Sequence, residues 1–65
     1  MKDFKNKEVK IGDSVIFNHP NARVLDSSLV LDITPDGIVV NCHFFENKMT
    51  EVVIPEKQFV ITVQN

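Results

Sequence analysis

Residues 29–45 read LVLDITPDGIVVNCHFF, and this stretch decides the fold. On its left flank Leu29, Leu31 and Ile33 alternate with Val30 and Asp32. On its right flank Val40, Cys42 and Phe44 alternate with Val39, Asn41, His43 and Phe45. Period-two alternation on both sides of a short polar break is the pattern of two antiparallel strands. The break is Thr34-Pro35-Asp36-Gly37. Proline presets φ at the first central position of a tight turn, and Gly37 accepts a positive φ at its exit. The expectation is a hairpin with Leu29, Leu31, Ile33, Val40, Cys42 and Phe44 inward and Val30, Val39 and Phe45 outward.

The same grammar extends outward in both directions. Upstream, IGDSVIF opens with a Gly12-Asp13 turn and continues as a strand, with Val15 and Phe17 inward and Ile16 outward. NHPNA, residues 18–22, is a loop. Asp26-Ser27-Ser28 marks a bulge or the true start of the next strand. Downstream, ENKMT is a turn and TEVVI a strand, with Val52 and Ile54 inward and Val53 outward. Pro55 cannot donate to a ladder, so PEKQ is read as a single 3₁₀ turn. FVITV closes the set, with Phe59, Ile61 and Val63 inward and Val60 outward. Residues 1–10 are mostly charged and are read as a partly flexible, solvated N-terminal arm of the same single domain, 1–65.

Composition agrees. Of 28 hydrophobic residues, ten are Val and six are Ile, and there are only three Leu and one Ala. β-branched side chains lose rotamer freedom in a helix and pack well on a pleated surface. No window carries the spacing of an amphipathic helix. The fold class is therefore all-β. Five strands in so short a chain are expected to close into one small barrel, which removes exposed edges. This arrangement resembles the SH3-like barrels, a group that includes KOW and Tudor-type modules. It does so through the IGDSV opening, the TPDGIVV hairpin and the PEKQFVI segment. The stretch from Gly12 also resembles the YodC-like family of small bacterial proteins. Gly12, Asp13, Val15, Cys42, Phe44, Phe45 and Pro55 carry that likeness, which implies a fold rather than an activity.

The chain has 65 residues, seven basic against nine acidic, and a formal net charge of −2. Such a balance speaks against a generic polyanion binder or a membrane-surface peptide. No apolar run is long enough for a membrane span, and no secretory pattern opens the chain. One cysteine forms no internal disulfide, so the expected setting is cytoplasmic. Cys42 and His43 are neighbours on a strand and point to opposite faces, so they do not share a metal ion. An inward Cys42 is an inert thiol rather than a nucleophile. No phosphate loop, nucleophile elbow or paired carboxylates are present. The expectation is no enzyme, no cofactor, no metal and no small-molecule substrate. Without Trp or Tyr, an aromatic groove for proline-rich peptides or a methyl-lysine cage is also disfavoured.

What remains is an interaction module, of a kind that suits a bacterial or phage accessory protein. The outward faces carry Ile16, Val30, Val39, Phe45, Val53 and Val60. Contiguous exposure of several of these exceeds what a soluble monomer usually shows. The partner is then a protein or a second copy in a homodimer, with Phe45 as anchor. The alternative is a KOW-like nucleic-acid surface built on Lys10, Arg23 and Lys48.

Overall fold

The structure is a computed structural model that describes residues 1–18, 25–43 and 49–65. Six strands are present: β1 Ser14–Asn18, β2 Leu25–Leu29, β3 Asp32–Thr34, β4 Gly37–His43, β5 Met49–Ile54 and β6 Phe59–Val63. Among the described residues there is no helix. The strands form two three-stranded antiparallel sheets, ordered β2-β1-β6 and β3-β4-β5. Their inner faces share one core of Val15, Phe17 and Phe59 from the first sheet and Ile38, Val40, Cys42 and Ile54 from the second, with Val9 and Val30 added from outside the strands.

The hairpin at Thr34–Gly37 is as its sequence dictates. Asp32 pairs with Val39, Ile33 with Ile38 and Thr34 with Gly37. Gly37 has φ +148°, and a Cβ there would lie 2.1 Å from the Ile54 carbonyl oxygen, so only glycine fits. The Thr34 hydroxyl donates to the Gly37 carbonyl at 3.0 Å and accepts the Asp36 N–H at 3.2 Å, closing the turn with its own side chain. Even-numbered residues of β4, with Val52 and Ile54 of β5, point inward: Ile38, Val40, Cys42 and Ile54 are buried and Val52 is half-buried.

Several expectations are corrected. The closed five-stranded barrel is replaced by two separate ladders, because the longest strand is cut at Val30. There the Val30 N–H donates to the Asp13 carbonyl and the Gly12 N–H donates to the Val30 carbonyl, both at 2.9 Å. One residue later the Leu31 N–H donates to Val39 of the other sheet. The chain changes sheets at this corner, and alternation does not carry across it. Val30, expected outward, is 1% exposed, while Leu29, expected inward, is 57% exposed and Leu31 is also exposed.

Val63, likewise expected inward, is exposed. A register shift between Ser14 and Val15 is the cause: Val15 faces Ile61 but Ser14 faces Val63. The segment at Pro55–Gln58 is a single turn closed by the Gln58 N–H on the Pro55 carbonyl at 3.1 Å. Lys57 has φ +67°, which is not a 3₁₀ value, so the expected 3₁₀ turn is an ordinary reverse turn. Phe44 and Phe45 lie outside the described residues.

Residues 1–10 dock as a hook along β6. The Phe4 N–H donates to the Phe59 carbonyl at 2.8 Å, and the Lys57 N–H donates to the Lys2 carbonyl at 3.0 Å. The Lys2 N–H in turn donates to Glu56 Oε2 at 2.9 Å. Val9 enters the core, whereas Phe4 and Ile11 stay exposed.

Candidate functional site

Strand β2, LDSSL, is amphipathic in the reverse sense. Ser28 turns inward, and its hydroxyl accepts the Asn41 N–H at 3.0 Å and donates to its neighbour's carbonyl at Leu29. Asp26 is half-buried on the same side. Leu25 and Leu29 therefore take the outer side, where they are 70% and 57% exposed. Strand period leaves no other choice: once Ser28 is committed to Asn41, the residues at odd positions face water.

The outer side of this sheet gathers further apolar residues. Ile16 of β1 sits directly between Ser27 of β2 and Val60 of β6. Ile16 is exposed and Val60 half-exposed. Phe4, 73% exposed, closes one flank. Together Phe4, Ile16, Leu25 and Val60 line an open groove of about 320 Å³. Its polar lining consists of Asn18, Gln58 and Lys57. Lys57 is the only charged side chain lining it among the described residues.

A buried carboxylate positions the Phe4 wall. Asp3 is fully buried. Its Oδ1 accepts the Lys7 N–H at 2.8 Å and its Oδ2 accepts the Ile61 N–H on the outer edge of β6 at 3.0 Å. Burial pushes its acidity towards the neutral form, but the N–H groups of Ile61, Lys7 and Lys5, with the charge of Lys7, outweigh it. The carboxyl is held below the ordinary carboxylate range. Asp13 ties the start of β1 to the chain beyond β6. It is buried and accepts the Lys10 N–H at 2.9 Å and the Asn65 N–H at 2.8 Å.

The second sheet has a different outer side. Val39 pairs with Val53 there, flanked by Asp32 opposite Val39 and by the Asn41–Glu51 pair. Val53 is exposed and Val39 half-exposed, as are both acidic residues and Asn41 in the same order. Among the described residues this side carries Asp32 and Glu51 and no cation.

The residues expected to form one binding patch are thus distributed. Ile16 and Val60 are brought together on the first sheet, and Val39 and Val53 on the second. Val30 belongs to the core. Phe45, Arg23 and Lys48 lie outside the described residues, and Lys10 is exposed beside the Gly12 turn. Phe4 and Leu25 were not among the expected contact residues. Leu25 carried a signal in the sequence, a leucine three residues before an inward-looking serine, but only the Ser28–Asn41 bond reveals its direction.

Cys42 is buried and free, and burial first, then the nearby Asp26 charge, pushes its thiol up. Such a thiol is a poor nucleophile at neutral pH. The His43 side chain lies outside the described set. Among the described residues no three His, Cys, Asp or Glu side chains converge as metal ligands. No helix there is long and apolar enough to cross a membrane.

The chain belongs to the DUF7205 family, a domain of unknown function, whose family model matches residues 1–63. No curated protein and no solved structure matches it.

Proposed function

We propose that this chain is a non-catalytic interaction module that binds protein through the outer side of the β2-β1-β6 sheet. One observation carries the reading: β2 shows both of its leucines to water while turning Asp26 and Ser28 inward. Exposed leucines on a strand lower solubility and add nothing to the core. Leu25 is grouped with Phe4, Ile16 and Val60 in one groove, which matches the apolar centre and polar rim of a protein contact. The SH3-like and YodC-like resemblances fit this reading as small β modules, and the chain's turn from β2 of one sheet into β3 of the other supports the SH3-like one. A single buried thiol supports a reducing, cytoplasmic setting.

The test is affinity capture with the wild-type chain and with Leu25→Asp, each checked for folding by circular dichroism. The reading expects a bound protein, or a second copy, that is retained by the wild type and lost from the variant. Equal retention by both chains contradicts it. Salt-sensitive retention on immobilised DNA or RNA, lost on Lys10→Glu, favours the nucleic-acid reading instead.

A further inference from the structure

The two sheets meet through their inner sides, so their outer sides point away from one another. These outer sides are complementary in charge. Among the described residues the groove on the first carries Lys57 and no acidic lining residue. The second carries Asp32 and Glu51 around a ridge of Val39 and Val53. Both present apolar side chains at their centre. A surface with an apolar centre and one sign of rim charge fits a surface with the opposite sign.

We propose that the groove of one chain takes the Val39–Val53 ridge of a second copy, an inference that rests on the reading of the groove as a protein-contact surface. The two surfaces differ, so the contact is heterologous: each copy offers a ridge on one side and a groove on the other. Head-to-tail addition of this kind builds rings or open chains rather than stopping at a two-fold dimer. Burial of Leu25, Ile16 and Phe4 against the two valines supplies the attraction. Lys57 opposite Asp32 and Glu51 sets the register and rejects like-charged faces, because exposed ion pairs add little affinity by themselves.

The experiment is light scattering on the full chain between roughly 10 µM and 1 mM, the range in which a small wet contact becomes populated. Three proteins are used: wild type, Lys57→Glu, and Asp32→Lys combined with Glu51→Lys. The wild type is expected to show an average mass that rises with concentration past that of a dimer. Lys57→Glu has two acidic surfaces and the double variant two basic ones, so each alone is expected to need about tenfold more protein to associate. An equimolar mixture of the two restores both complementary contacts and is expected to associate at least as well as wild type. That rescue also shows that both variants are folded.

A wild type that stays monomeric at 1 mM overturns the proposal. So does a wild type that associates while the variants match it or their mixture does not recover. A monomer that still captures a protein through Leu25 removes self-association and leaves the interaction module standing. A monomer that captures nothing removes both.

Discussion

Asp3 and Gly37 show how single residues hold this small fold in place. Asp3 is a buried charge in the N-terminal hook, and it survives because backbone N–H groups surround it. Replacing it by Asn turns one acceptor into a donor and leaves an N–H facing an NH₂. Asp3→Asn is expected to cost about 1–3 kcal/mol in urea unfolding. The carboxyl is depressed in the folded state, so its contribution is complete above the unfolded-state value, about 3.9. That contribution is lost as the pH falls further, through the folded-state value. The stability gap between wild type and Asp3→Asn should therefore be flat from pH 7 to about 5 and narrow progressively as the pH falls below about 4. A gap that does not narrow at all on acidification contradicts this role. Gly37→Ala drives a methyl into the Ile54 carbonyl and is expected to cost on the order of 3 kcal/mol. An unchanged unfolding midpoint for that variant would exclude the turn geometry described above.

At the scale of elements, the informative ones are the hairpin and β2. The hairpin was legible because everything that specifies it is local: a Pro-Asp-Gly turn, and apolar residues at every second position of β4. The reverse polarity of β2 was not legible. Alternation from Leu29 onward suggested a leucine face turned inward, yet the chain changes sheets at Val30 and the count restarts. What fixes the outcome is a contact thirteen residues away, Asn41 with Ser28, joined to the Gly12 and Asp13 bonds that clamp Val30. Short-range pattern holds no record of such bonds. The buried Asp3 was hidden for the same reason, since its partner Ile61 is at the far end of the sequence. The corner can be tested by a pair of alanine variants. Val30→Ala removes two fully buried methyl groups and is expected to cost about 2 kcal/mol. Leu29→Ala, although it removes more carbon, is expected to stay within about 0.5 kcal/mol of wild type. Reversed costs would mean that the alternation runs through Val30 unbroken.

The molecule as a whole is a thin layer of core between two unlike surfaces. At this size only about 60% of the unfolded chain's surface is buried on folding, so apolar side chains left outside are a real sacrifice of stability. Three of them, Phe4, Leu25 and Leu29, are among the most exposed large side chains of the described residues and lie on or beside one sheet. Sequence reasoning expected outward apolar residues and a protein partner, and it named Ile16 and Val60 as outward, which the sheet register makes neighbours on the same side. It joined to them Val39 and Val53, which the topology sends to the opposite side of the molecule. The candidate surface was thus half visible: strand parity tells which residues leave the core, but which sheet they leave from depends on the fold as a whole.

The exposure of the β2 leucines underlies both the contact surface and its occupant, and it can be measured directly. Methyl relaxation by a soluble gadolinium chelate should be recorded at a concentration dilute enough to hold the chain monomeric. The account predicts strong broadening of the Leu25 and Leu29 methyl signals and of Ile16, with Val30, Val40 and Ile54 protected. Leu29 methyls as well protected as those of Val30 would contradict it, because the two leucines would then belong to the core and the groove would lose its wall.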